Sequence, residues 1–299
     1  MPILPTASFS PSFPLRSAHF HTIYSSLFRK VSTLPFMPER LELADGDFLD
    51  IDWYLAEDNP SDRLAVISHG LEGNSRKKYM RGMTQILTRA GWDVICLNFR
   101  GCSGEPNRLP RLYHSGVTDD LHTVLCHALQ KHNYQYAALV GFSMGGNQVL
   151  KYLGEEPEKV PPQVSGATVF SVPCQLDDAA VTMGKKANVL YMQYFLRGLR
   201  KKIRAKARLF PDLFPLEGLN SITTFYPFDD RYTAPVHGFE NAQDYYEKSS
   251  SKQFIHAIKV PTLLVQSKDD PFLPPSCYPF AEAERNRYFY LETTKFGGH

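Results

Sequence analysis

The sequence predicts an α/β protein on a mostly parallel, doubly wound sheet, and three observations carry that prediction. Short apolar runs alternate with amphipathic helical patterns from residue 64 onward. A Gly-x-Ser-x-Gly pentapeptide, Gly141 to Gly145, sits where one such run turns into a helix. A serine, an aspartate and a histidine follow three of the runs in that order. Strand alternating with helix demands parallel strands, right-handed crossovers and helices on both faces.

The elements follow in order. Residues 1–38, broken by Pro5, Pro11, Pro14 and Pro35, read as a segment lying over the surface. Residues 39–43 and 48–55 form a hairpin around Asp45-Gly46. A buried strand at 64–68 runs into His69-Gly70-Leu71-Glu72-Gly73, and Tyr79, Met83, Ile86, Leu87 and Ala90 then share a helix face. The strand at 93–99 leads into Arg100-Gly101-Cys102-Ser103-Gly104, and Val117, Leu121, Val124, Leu125 and Ala128 mark the next helix. The run 136–140 meets the pentapeptide, after which Val149, Leu150 and Leu153 line a third helix. Residues 166–172 are strand-like up to Pro173. The alternation then lapses: 187–210 reads as a basic helix, 220–236 as an aromatic loop and 239–251 as a helix. It resumes with strands at 262–267 and 288–293. The expected organisation is therefore a core of 1–173 and 258–299 with a helical cap inserted at 174–257.

Composition narrows the function. A net charge of +2 gives no reason to expect a nucleic-acid partner. No apolar run approaches the roughly eighteen residues that span a bilayer. Residues 1–14 lack a basic stretch followed by an apolar one, so no signal peptide is expected. Five cysteines, odd in number, scattered and without a Cys-x-x-Cys pair, read as free thiols and make the cytoplasm the expected location.

Catalytic groups in open α/β sheets gather at the carboxyl ends of the strands. Here those ends carry His69-Gly70-Leu71, Ser143, Asp270 and His299. A serine hydroxyl attacks poorly until a base takes its proton, and the base needs a carboxylate to fix its tautomer. His299 and Asp270 suit those roles beside Ser143. The oxyanion formed on attack needs backbone donors, which this architecture draws from the residue after the nucleophile and from the loop after an earlier strand, here the amides of Met144 and Leu71.

This arrangement resembles the α/β-hydrolase fold, and within it the chain is similar to the YheT-like hydrolases, a group that takes in bacterial esterases and the abhydrolase-domain lipases of animals. The segments that carry the resemblance are His69 to Gly73, Asn98-Phe99-Arg100-Gly101, Tyr113-His114-Ser115-Gly116, Gly141 to Gly146, Phe228-Asp229-Asp230 with Tyr232-Thr233-Ala234-Pro235, Asp269-Asp270-Pro271-Phe272 and Gly297-Gly298-His299. The resemblance implies hydrolysis of carboxylic esters, acting on acyl lipids or transferring acyl groups to alcohols in some relatives. Members of the fold continue past the catalytic histidine into a final helix, which this sequence lacks after His299. Asp269 and Asp270 compete for one role; Asp270 is preferred because it stands four residues before Pro274, as in the strand-end turn of the fold, and Asp269 then braces the loop.

The remaining features are read more plainly. His69 orients the oxyanion loop with Gly70, and Arg100 ties loops together. His19 with His21 and His122 with His127 lack ligand spacing, so no metal is expected, and no phosphate loop points to a nucleotide or other cofactor. The basic stretch 197–208 reads either as a solvated face of the cap or as a peripheral contact with an anionic membrane. The expected reaction is cleavage of a small acyl ester with an apolar acyl part. The alternatives are acyl transfer to an alcohol, a lyase or perhydrolase on the same triad, and a binding module that has kept only the fold.

Overall fold

A computed structural model describes residues 3–57 and 60–299; Met1 and Pro2, at the head of the expected surface segment, lie outside it. The N-terminal part contains α1 (Ala18–Leu27) and is followed by the hairpin of β1 (Met37–Glu42) and β2 (Phe48–Tyr54). The hairpin closes at Gly46, whose φ of 84° requires a residue free of a β-carbon penalty, and Gly46 N donates to Leu43 O at 2.9 Å. Then come β3 (Arg63–Ser68), α2 (Lys78–Arg89), β4 (Asp93–Asn98), α3 (Asp119–Lys131), β5 (Tyr136–Phe142), α4 (Met144–Glu155) and β6 (Val164–Phe170). Helices α5 (Leu176–Met183), α6 (Val189–Leu209), α7 (Phe225–Phe228), α8 (Ala234–Val236) and α9 (Ala242–Ser249) precede β7 (Thr262–Ser267), α10 (Phe280–Arg285) and β8 (Phe289–Thr294).

The strands form one sheet in the order β1-β2-β4-β3-β5-β6-β7-β8. Strand β2 is antiparallel to both neighbours, and every pair from β4 to β8 is parallel. All six residues of β4 are buried, as apolar strands covered on both faces must be. The chain leaves β3 for β4 on one side and returns across it to β5 on the other. The strand order therefore reverses between β3 and β5, where a crevice opens beyond their carboxyl ends.

Two segments depart from the sequence reading. Residues 1–38 are more than a surface strap: α1 forms between the prolines, and Ile3 and Ala7 bridge to Leu291 and Thr294 at the edge of β8. Pro11 and Pro14 precede the helix, where a missing N–H removes no intrahelical bond. Residues 220–236 are helical turns rather than a loop, with Pro227 and Pro235 near the starts of α7 and α8, where proline fits.

Behind β4, Arg100 is 3% exposed and joins three carboxylates: Asp120 of α3 at 2.7 Å, Asp45 of the hairpin turn at 2.7 Å and Asp47 at 3.1 Å. Burial opposes its charge, but the surrounding carboxylates hold its pKa above the ordinary arginine value. Arg100 thus fastens the antiparallel edge to the parallel core. Arg100→Met strands these carboxylates without their cation and is expected to destabilise the fold by about 3–5 kcal/mol. Urea unfolding checks this; a loss below 1 kcal/mol contradicts it.

Candidate active site

One residue, Ser143, makes the turn between β5 and α4. Its φ is 52°, a conformation that side chains bearing a β-carbon rarely adopt. Close packing on both sides maintains it. A β-carbon at Gly141 would lie 2.6 Å from the Gly145 carbonyl oxygen, and one at Gly145 would collide with the backbone of Ser68 and His69. These two glycines let α4 press against the ends of β3 and β5, leaving the serine at the apex.

The loop after β3 is held from several directions. Phe99 N–H donates to His69 Nε2 at 3.2 Å, so the proton sits on Nδ1, which donates to Gly70 O at 2.7 Å. Complete burial keeps this ring neutral, its pKa pushed down to about 3. Gly70 N–H donates to the Tyr79 hydroxyl at 3.0 Å. Among the described residues, neither the Leu71 nor the Met144 amide has a hydrogen-bond acceptor. Met144 opens α4, where the helix dipole adds to its affinity for negative charge.

His299 Nδ1 lies 2.8 Å from Asp270 Oδ2, and Phe272 N–H donates to Asp270 Oδ1 at 2.9 Å. A carboxylate only accepts, so Nδ1 carries the proton and the Nε2 lone pair is left available. The Phe272 ring lies tilted at 35° to the imidazole with ring centroids 4.2 Å apart, and His299 N–H donates to Thr22 Oγ1 of α1 at 2.9 Å. Asp269 instead accepts from Gly298 N–H at 2.9 Å and from the Ser267 hydroxyl, bracing the turn. Gln266 anchors the same loop by donating to Cys277 O at 2.6 Å.

Ser143, His299, Leu71 and Met144 line one cavity of about 120 Å³, whose walls include Leu176, Met183, Phe195, Leu199, Phe225 and Phe228 from α5, α6 and α7. Ser143 Oγ and His299 Nε2 line the same cavity without a hydrogen bond between them; contacts of this kind commonly tighten when substrate binds. Arg100, removed from this cavity, serves the hairpin junction described above.

Several supporting residues had no individual signal in the sequence. Glu72, at φ 54°, donates its N–H to the Tyr113 hydroxyl at 3.2 Å, and its carboxylate accepts a hydrogen bond from that hydroxyl at 2.5 Å. Lys202 of α6 reaches Glu72 at 2.7 Å and the Cys102 sulfur at 3.1 Å. Burial works against the Lys202 charge, yet Cys102 and Glu72 raise its pKa above the ordinary value. Lys206 turns inward as well, donating to Asn107 O at 2.7 Å, and burial pulls its pKa down to about 8. Part of the basic charge of 197–208 is thus used inside the protein. Asn147 of α4 donates to Ser115 O and Ser249 O, each at 2.8 Å, tying two loops beside the serine turn. Among the described residues, no three His, Cys, Asp or Glu side chains are grouped to hold a metal ion, and no helix is long and apolar enough to cross a membrane.

A sheet with its crossover at β3/β5 and a strained serine turn at that point define the class: the chain belongs to the alpha/beta hydrolase fold family, whose model matches residues 66–297. Within it, the chain groups with the YheT-like proteins. It is 35% identical to the Escherichia coli (strain K12) protein named "Putative esterase YheT", over 98% of this chain and 86% of that one. It is 31% identical to "Medium-chain fatty acid ethyl ester synthase/esterase 2" of Saccharomyces cerevisiae, over 79% of this chain and 57% of that protein. Among solved structures, the Pyrococcus furiosus esterase Pf2001 shares the fold at a TM-score of 0.58 and 17% identity, covering 91% of this chain and 89% of that one.

Lys202→Met removes the clamp between α6 and the loop after β3. It is expected to cost about 1–3 kcal/mol in urea unfolding and to speed hydrogen exchange in residues 69–73. Unchanged exchange there contradicts the clamp.

Proposed function

We propose that the protein is a serine hydrolase that cleaves carboxylic esters with an apolar acyl part. The single observation that carries this reading is the His299–Asp270 contact of 2.8 Å beside a cavity shared with Ser143 and two amides without acceptors. Ser143 Oγ attacks the ester carbonyl carbon while its proton passes to His299 Nε2. Asp270 holds the imidazole in the required tautomer and stabilises the imidazolium. The Leu71 and Met144 amides receive the charge that develops on the carbonyl oxygen. His299 then returns the proton to the departing alcohol oxygen, leaving the acyl group on Ser143. Water, deprotonated by the same histidine, releases the acid.

The segment 174–257 acts as the cap in this reading, since α5, α6 and α7 supply the apolar wall. Transfer to an alcohol is the second reading, favoured by likeness to a yeast protein named both synthase and esterase. Any contact of the cap with an anionic membrane falls to Arg197, Lys201, Arg204 and Arg208, which are exposed.

Ser143→Ala is expected to lower turnover of a short-chain ester by roughly three orders of magnitude or more, and Asp270→Asn by a loss on the order of 10³–10⁴ with the fold intact. Initial rates beside a circular-dichroism control measure both. Near-normal turnover in Ser143→Ala sinks the assignment.

A further inference from the structure

The same cavity has a polar corner that the proposed chemistry leaves unused. Asp229 lines it on the turn between α7 and α8, with Thr233, Tyr245, Tyr246, His114 and Ser115 nearby in the lining. Asp229 lines this cavity and is half-buried as a residue, with its carboxyl enclosed by protein. Thr233 Oγ1 donates to one of its oxygens at 2.5 Å, and the Tyr246 hydroxyl donates to the other at 2.7 Å. Among the described residues no lysine or arginine pairs with it. Burial raises its pKa to about 6, and the two hydroxyls only partly offset that.

A carboxyl unpaired with any cation beside apolar walls is costly unless something further compensates it. Two hydroxyl donors occupy only part of its capacity, since a carboxylate offers about four acceptor positions. The backbone beneath it is unusual too: Asp229–Thr233 is a π-helical turn, a wide winding that occurs mostly as single turns within helices and frequently at functional sites. It places Thr233 where its hydroxyl meets the Asp229 carboxyl. A wholly apolar substrate filling this cavity would strip water from Asp229 and return nothing, whereas a hydroxyl on the substrate would complete its hydrogen bonds.

We propose that Asp229 is a specificity-determining residue, the acceptor that anchors a hydroxyl group of the ester substrate, so that the preferred substrates are hydroxyl-bearing esters rather than plain alkyl esters. This rests on the hydrolase reading above. The hydroxyl belongs either to the alcohol part or to the acyl part, and the recognition chemistry is the same. Tyr246 and Thr233 are positioning residues that hold the carboxyl toward the cavity. The apolar wall takes the rest of the substrate.

The test compares kcat/KM for matched pairs: glyceryl monobutyrate against propyl butyrate for the alcohol part, and methyl hydroxybutyrate against methyl butyrate for the acyl part. The wild-type protein is expected to prefer the hydroxylated member of at least one pair by about 10- to 100-fold. That ratio falls toward one in Asp229→Ala and part of the way in Asp229→Asn, mainly through KM. The pair that discriminates identifies which part carries the hydroxyl. Tyr246→Phe, which removes one hydroxyl, is expected to lower the same ratio and serves where Asp229 variants do not fold. A wild-type ratio near one in both pairs, or an unchanged ratio in the folded Asp229 variants, overturns the proposal. Turnover of no ester at all refutes the hydrolase reading instead. Calorimetric binding of glyceryl monobutyl ether against dibutyl ether then decides the anchor separately, with equal affinities overturning it.

Discussion

The site depends on how closely α4 approaches the ends of β3 and β5. That approach exists because Gly141 and Gly145 present no β-carbon to the backbone across from them. It forces Ser143 to a φ of 52°, with an energetic cost that the surrounding packing has to carry. It also brings the first amide of α4 beside the loop that starts at His69. A substituent at either glycine would push the helix away and separate the serine from both amides at once. Strain at the turn and assembly of the site are therefore one event.

The rest of the structure holds that arrangement from three directions. On the β3 side, a neutral His69 bridges Phe99 and Gly70, and Tyr79 secures the Gly70 amide. From above, α6 reaches down with Lys202 to Glu72, so the helices over the cavity are bonded to the loop they cover. On the β7 side, Asp269 braces the loop of Gly298 while Asp270 orients the imidazole. Adjacent aspartates divide the work because Asp269 is tied to Gly298 and the Ser267 hydroxyl while Asp270 meets the ring. The acid and the brace need different neighbours.

Much of this was legible in the sequence. Parallel strands buried on both faces leave near-continuous apolar runs, and the serine turn leaves its glycines in fixed register, so β3 to β8 and Ser143 could be read directly. Other parts were hidden for identifiable reasons. In α1, Phe20, Ile23, Tyr24 and Leu27 follow helical spacing but point to solvent, and the nearby prolines suggested broken chain. In 220–236 the prolines sit at helix starts and disguise the turns. The Lys202–Glu72 bond joins residues 130 positions apart, and in the sequence Lys202 is one of seven cations in a basic stretch. Asp229 lay within a matching segment, and its place in the cavity lining shows only in the structure.

The proposed reaction passes an acyl group through Ser143. Rapid quenching of the protein with a slowly deacylating ester, followed by mass spectrometry of the intact chain and its peptides, tests that most directly. The expected result is a mass increase equal to one acyl group, carried on the peptide containing Ser143. Ester turnover with no adduct under any quench time, or an adduct on another residue, would contradict it.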